Sequence, residues 1–332
     1  MVIMTNHAII FSVGRARASG PAVSVVICFI ALFIALLLLI TACHRMEPDL
    51  VWTSIDVNTP YVQGDAHLLK ICHTNFVLID AGPRETADRV IQSLKQAGCT
   101  RLNLVIITHG HTDHYGGLVP LLNSGIIVDC VYFNPPDPIL IGSEPWGCSN
   151  EDIAEIRSGL RDKNIPLKSM DKNSEWNFGK GITLKTICAF NGLDTPIGRT
   201  DINDTSALLM LSHGTVKILF AADLNRALGD YLTTNSPGLL HANILKFPHH
   251  GAESFANDAF FHAVNPQTVV VTAPKELWLS ERCARARLLT KDCKVYVNGM
   301  EGNISVTSDG KTSRVHPEHK LGGQRPPCHA RN

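Results

Sequence analysis

The chain has 332 residues, 45% of them hydrophobic and 18% charged, enough to bury the core of one large domain or two small ones. Lys and Arg balance Asp and Glu at 30 each, so the formal charge is zero. That excludes a basic coat for nucleic acid and an acidic tail, while leaving a local binding groove compatible with the sequence.

Arg15 and Arg17 precede a charge-free apolar run, Ala22–Ile40, long enough to span a bilayer. The run ends in Leu39-Ile40-Thr41-Ala42-Cys43, which resembles a bacterial lipoprotein signal. In that reading a peptidase cuts before Cys43, which then carries the lipid; the alternative is an uncleaved helical anchor. Either tethers the rest to a membrane through a lipid or a helix, in the bacterial cell envelope, facing the periplasm or the exterior. Residues 1–45 thus read as signal or anchor, 46–317 as the folded domain, and 318–332, rich in Gly, Pro and Arg, as a disordered tail. The cysteines beyond Cys43 contain no CxxC pair, which argues against a zinc ribbon; Cys130 and Cys188 sit in apolar runs and read as small core residues. An oxidising compartment permits disulfides among them.

The short runs Val51–Ile55, His67–Cys72 and Phe76–Ile79 read as strands of a meander. Thr86–Ala97 has helical spacing (Val90, Ile91, Leu94) and stops at Gly98. Leu104–Thr108 reads as a buried strand, Gly117–Leu122 as the start of a helix, and Ile126–Phe133 as the next strand. Asn134–Asn150 reads as a Pro- and Gly-rich loop and Glu151–Lys163 as an amphipathic helix. Ile182–Phe190, Ser206–Leu211 and Val216–Ala221 read as strands, the last two joined as a hairpin at Ser212-His213-Gly214. Ala242–Phe247 is an apolar run, Ser254–Val264 a helix, Thr268–Thr272 a strand and Ser280–Thr290 a helix. Lys294–Val297, Asn303–Thr307 and Thr312–Val315 finish as strands, with a tight turn at Asp309-Gly310. Strand clusters separated by helices predict an α+β fold: two sheets face to face with helices outside, a four-layer αββα sandwich.

Directly after Leu104–Ile107 comes His109-Gly110-His111-Thr112-Asp113-His114, four metal-ligand side chains in six residues. Imidazole nitrogens with a carboxylate oxygen suit zinc, manganese or iron rather than calcium or magnesium. A histidine-rich polar loop is the bland alternative, and the preceding strand weighs against it. Asp223 ends the run Ile218–Ala222; it reads as a ligand that bridges two metals, or as a helix cap. His249-His250-Gly251 follows Leu245-Lys246-Phe247-Pro248; His249 is read as the ligand and His250 as a group that either supports the ligands or touches substrate. Asp80 ends the run Val77–Ile79 and is placed to orient the metal loop through hydrogen bonds. His67, His73, His213, His241, His262 and His316 lack such context and read as surface or otherwise satisfied histidines.

His-x-His-x-Asp-His resembles the metal-binding signature of the metallo-β-lactamase superfamily. Gln63-Gly64-Asp65-Ala66, Leu78-Ile79-Asp80-Ala81-Gly82, Asn203-Asp204-Thr205-Ser206-Ala207-Leu208 and Leu245–Gly251 resemble, more narrowly, the domain of that type in ComEC-type DNA-uptake proteins, as does Val295-Tyr296-Val297 with Glu301-Gly302-Asn303-Ile304. The resemblance implies a dinuclear hydrolase with zinc, manganese or iron, using water acidified by two metals. It carries His109 and His111 over as ligands of one ion and Asp113, His114 and His249 as ligands of the other, with Asp223 bridging. Asn203 or Asp204 stands where many members have a further histidine. Asp113 would double as proton acceptor and His250 as acid for the leaving group. The family's Asp-Val-Gly-Gln-Gly-Asp is interrupted here by Asn58–Val62, and Pro274–Trp278 replaces its late Asn-x-Tyr-Gly-His-Pro segment. The expected activity is that of a membrane-tethered phosphodiesterase or nuclease-like enzyme. The alternatives are a hydrolase of a lactone, thioester or β-lactam amide, or a non-catalytic metal-binding lipoprotein. Substrates are accordingly small molecules or nucleic acid.

Overall fold

The computed structural model describes residues 47–190, 195–198 and 201–320. Arg15, Arg17, Ala22–Ile40, Cys43 and the tail from 321 onward lie outside the described residues. The strands are β1 (Leu50–Ser54), β2 (Ala66–Ile71), β3 (Asn75–Ala81), β4 (Arg101–Leu102), β5 (Leu104–Ile107), β6 (Ile127–Val128), β7 (Val131–Phe133) and β8 (Leu167–Lys168). They continue with β9 (Glu175–Gly179), β10 (Ile182–Cys188), β11 (Leu208–His213), β12 (Val216–Phe220), β13 (Ile244–Lys246), β14 (Thr268–Val271), β15 (Lys294–Val297), β16 (Ile304–Ser308) and β17 (Ser313–Pro317). One sheet runs β17-β16-β1-β2-β3-β5-β7-β8 and the other β15-β14-β13-β12-β11-β10-β9, while β4 and β6 form a small pair.

Strand alternation sorts the apolar side chains into three layers, because successive residues point to opposite faces. Leu69, Val77, Ile79 and Ile106 of the first sheet meet Leu209, Leu211, Ile218 and Phe220 of the second. The opposite-pointing Leu68, Leu78, Val105 and Ile107 pack under the helices Ala87–Gln96, Leu118–Leu122 and Asn150–Asp162. On the far side Leu219, Leu245 and Val269 pack under Arg226–Asn235, Asp258–Val264 and Ala284–Leu289. Three apolar layers between two sheets and two sets of helices make the αββα sandwich.

Pairing direction positions the site. β3, β5 and β7 are parallel, and so are β12, β13, β14 and β15. Parallel strands end on the same side, so the loops after β3, β5, β12, β13 and β14 gather at one edge of the sandwich. Close packing there requires a missing side chain at Gly117, where an added Cβ would lie 2.1 Å from the Ala81 carbonyl oxygen.

Two local expectations change, and one strand is added. Ile126–Phe133 is not one strand: it breaks at Asp129-Cys130, where Asp129 N bonds Leu102 O, and its halves join different sheets. Asn134–Asn150 contains a short helix, Pro138–Ser143, started by Asp137, whose side chain accepts from Ile139 N. Glu175–Gly179 forms the edge strand β9, whose alternation of polar and aromatic residues marks a half-covered sheet margin. Cys99, Cys148, Cys188 and Cys283 are buried free thiols. Among the described residues no helix is long and apolar enough to cross a membrane.

Phe220 is 1% exposed and meets Trp52 edge-on at 5.0 Å between the sheets. Phe220→Ala is expected to cost about 3–5 kcal/mol of stability. Leu288→Ala, at a residue 65% exposed, should stay within about 0.5 kcal/mol. Chemical denaturation of both variants checks the contrast.

Candidate metal centre

The loop after β5 is held from below by Asp80. Its carboxylate accepts from Thr108 N (2.7 Å), Thr108 Oγ1 (2.8 Å) and His114 Nδ1 (2.9 Å). Thr112–Tyr115 then forms one helical turn closed onto His111 O, which brings His114 back beside Asp80.

The partners of each ring decide which nitrogen keeps a lone pair. A carboxylate accepts, so His114 donates from Nδ1 and its Nε2 faces Asp223 Oδ1 at 3.3 Å. A carbonyl accepts, so His250 donates from Nδ1 to Thr272 O at 2.8 Å. Its Nε2 then faces Asp113 Oδ2 at 3.2 Å and Asp223 Oδ2 at 3.3 Å. His111 donates from Nε2 to Glu144 Oε2 at 2.9 Å, leaving Nδ1 as the nitrogen that meets His109 Nε2 at 3.2 Å. Thr108 spends its only proton on Asp80, so it accepts from His109 Nδ1 at 3.3 Å, and His109 Nε2 is turned to His111 Nδ1.

Donor atoms of Asp113, His114, Asp223 and His250 lie within 4.8 Å of one another, and so do those of Asp65, Asp80 and His114. His114 Nε2, His250 Nε2 and Asp223 Oδ1 are buried without a hydrogen-bond partner. Unpaired buried polar atoms cost roughly 1–3 kcal/mol each. Convergent imidazole and carboxylate lone pairs fit a divalent transition metal, which would satisfy all of them. Calcium and magnesium, which favour all-oxygen shells, fit this mixed set less well. The set suits zinc, manganese or iron.

Without metal the same carboxylates draw a proton onto His114 and His250, in the place a cation would take. Burial alone would lower the pKa of His250, but Asp223 and Asp113 outweigh it and push it up to about 10. The same contest holds His114 well above the usual imidazole range, through Asp223, Asp80 and Asp113. Burial opposes the charge on Asp223 as well, yet His250 and His114 hold it well below the carboxylate range. His109, desolvated and beside His114, is pushed well down and stays neutral.

Of the sequence-assigned residues, His109, His111, Asp113, His114, Asp223 and Asp80 are gathered here. The histidine pair is arranged differently from expectation. His250, not His249, stands in the donor cluster, and His249 is half-buried beside it with Nδ1 unpartnered. The reason is backbone conformation. His249, His250 and Gly251 all have positive φ (51°, 53° and 83°), and this turn swings the second ring under Thr272. Asp204 is in neither donor cluster: it accepts from Leu228 N at 3.3 Å. Asn203 is buried with an unpartnered Oδ1.

Sequence reasoning missed three groups. Asp65 and Lys246 form a fully buried ion pair, and Lys246 Nζ also donates to Ala222 O (3.0 Å) and lies 3.7 Å from Asp223 Oδ1. A lysine inside the apolar run Ile244–Phe247 was the available signal. Glu144, 33 positions from His111, carried none. His67, read as ordinary, is 1% exposed, 3.8 Å from Asp65 and packed on Trp52 and Phe220.

An αββα sandwich with histidines and aspartates gathered at the ends of its parallel strands is a metallo-β-lactamase-type fold with a candidate metallo-hydrolase site. In agreement, residues 61–132, which contain the whole histidine loop, match the family described as the metallo-beta-lactamase superfamily. The chain is 22% identical over 200 residues to the competence protein ComA of Neisseria gonorrhoeae, covering 59% of this chain and 24% of that protein. It is 33% identical over 96 residues to the probable metallo-hydrolase YflN of Bacillus subtilis (strain 168), covering 28% of this chain and 34% of that protein. The chain thus spans about a quarter and a third of the length of these relatives. Among solved structures it is similar to the metallo-beta-lactamase fold protein YhfI from Bacillus subtilis, with a TM-score of 0.49 and 12% identity over 81% of this chain and 100% of that chain. It is similar also to Zn(2+)-bound PqqB from Methylobacterium extorquens, with a TM-score of 0.44 and 13% identity over 70% and 85%.

Burial and the neighbouring Asp201 push the pKa of Asp204 up to about 7. A raised acid favours the fold below its unfolded value of about 3.8, and that advantage is lost as pH rises through about 7. Asp204→Asn, neutral throughout, should therefore gain Tm relative to the natural chain on going from pH 5 to pH 8, by roughly 2 °C or more. Thermal unfolding at both pH values checks this; an unchanged gap contradicts it.

Proposed function

We propose that this chain is a metal-dependent hydrolase of phosphodiesters, held at the bacterial cell envelope. The observation that carries the hydrolase reading is the convergence of free imidazole and carboxylate donors at one sheet edge. His109 and His111 would hold one ion and Asp113, His114 and His250 the other, with Asp223 between them. Divalent ions held there supply Lewis acidity toward the scissile group and an acidified water as nucleophile.

The chain's own groups do the rest. Asp113, with a side chain 23% exposed, is the outward-facing carboxylate of the set and accepts the proton that the nucleophile gives up. His250 is occupied on both nitrogens, by Thr272 and by the donor cluster, so the leaving-group side falls to His249, half-buried and free at Nδ1. Asp65 and Lys246 neutralise each other behind the rings and keep a fixed field there. Trp146 is 74% exposed with its ring centroid 5.1 Å from that of His111, a flat apolar face suited to a nucleobase or another planar group. The similarity to a competence protein supports a nucleic acid or related phosphodiester as substrate. The apolar run Ala22–Ile40 and Cys43 support tethering by lipid or helix.

With zinc or manganese added, the purified chain should hydrolyse bis-p-nitrophenyl phosphate and single-stranded DNA faster than a lactone or nitrocefin. Asp113→Asn and Asp223→Asn should each lose about 100-fold or more with an unchanged circular dichroism spectrum. Turnover of the lactone or nitrocefin alone would overturn the substrate class, and no turnover of any of the four would overturn the hydrolase reading.

A further inference from the structure

We infer that Glu144 is a positioning residue, which locks the His111 ring in the tautomer and orientation that present Nδ1 beside His109; this rests on the metal-site reading above. Glu144 is 7% exposed, although it lies in the segment between the helices Pro138–Ser143 and Asn150–Asp162. Both of its oxygens are committed. Oε1 accepts from Ile202 N at 2.7 Å and Oε2 from His111 Nε2 at 2.9 Å. Each partner approaches as a donor, so a carboxylate, which only accepts, satisfies both, and no other ordinary side chain of this length offers two acceptor atoms so placed.

The same segment closes on the ring from its edge. Gly147 O accepts from Thr112 N at 2.8 Å. A Cβ on Gly147 would fall 2.7 Å from His111 Cδ2 and 3.0 Å from Nε2. The main chain therefore lies against the edge of the ring that carries Nε2, while the carboxylate holds Nε2 itself. Gly147 N and Cys148 N both bond back to Glu144 O, which makes the carboxylate and the glycine one rigid turn. Glu144 thus joins three segments far apart in the chain: the histidine loop, the stretch after Pro138–Ser143, and the turn that begins at Ile202. A carboxylate on the outer nitrogen of a ligating imidazole fixes which nitrogen binds and raises its basicity.

Glutamine at 144 has one acceptor and one donor. With its oxygen kept on Ile202 N, its amide faces His111 Nε2, which must then accept, moving the ring proton to Nδ1. Side-chain ¹⁵N spectra of the ¹⁵N-histidine-labelled full chain at pH 8, with His111 assigned from His111→Gln, read this with no metal required. The natural chain should show His111 protonated at Nε2 and Glu144→Gln should show it protonated at Nδ1. In a zinc competition titration Glu144→Gln should bind one of the two ions, the one assigned to His109 and His111, about 10–100-fold less tightly. An unchanged tautomer in Glu144→Gln, or Nδ1 protonation already in the natural chain, overturns the positioning role whatever the metal content. Failure of the natural chain to bind zinc overturns the metal-site reading instead, and the tautomer result still judges Glu144.

Discussion

Asp80, the Thr272 carbonyl and Glu144 each take one ring proton, from His114, His250 and His111. Because these acceptors cannot donate, the remaining nitrogen of each ring is aimed at the centre, where it carries either a proton or a metal ion. Thr108 extends the rule to His109 by spending its own proton on Asp80. Everything else in the site follows from that constraint. It explains why the inner nitrogens of His114 and His250 face carboxylates, why His114, His250 and Asp223 have shifted pKa values, and why their unpartnered buried atoms lie together.

The arrangement is held at a cost that the scaffold offsets. Asp80, Ala222, His249 and His250 all have φ between 47° and 57°, where non-glycine residues are strained by roughly 1–3 kcal/mol each. The Asp65–Lys246 pair is buried at about 1% exposure, and desolvation consumes much of its attraction. Such features persist where the surroundings over-determine them. Here all but Asp65, which directly precedes β2, lie at or just past the end of a parallel strand whose side chains are locked in the apolar layers. Rigid strand ends with strained loops between them suit a site that must keep its donors in place without reorganising.

The layered fold was legible because strand alternation and helical spacing recur along the whole domain. The break at Asp129-Cys130 and the edge strand β9 were not, since a two-residue interruption and a polar margin leave the local hydrophobic pattern ambiguous. The histidine loop was legible because its donors are contiguous. Asp80 and Asp223 stood out as carboxylates closing apolar runs. Choosing between His249 and His250 depended on three successive left-handed residues, a conformation that side-chain chemistry does not encode. Glu144 reaches His111 only through tertiary packing, so nothing near either residue announces the pair.

The central claim is that these lone pairs hold metal and that His250, not His249, is among them. Elemental analysis of protein prepared without chelator, alongside His250→Ala and His249→Ala, tests it directly. The account predicts about two transition-metal ions per natural chain, a two-metal site, with the His250→Ala variant losing about one and the His249→Ala variant keeping both. A natural chain that folds with no bound metal, or metal lost from His249→Ala and kept by His250→Ala, would contradict it.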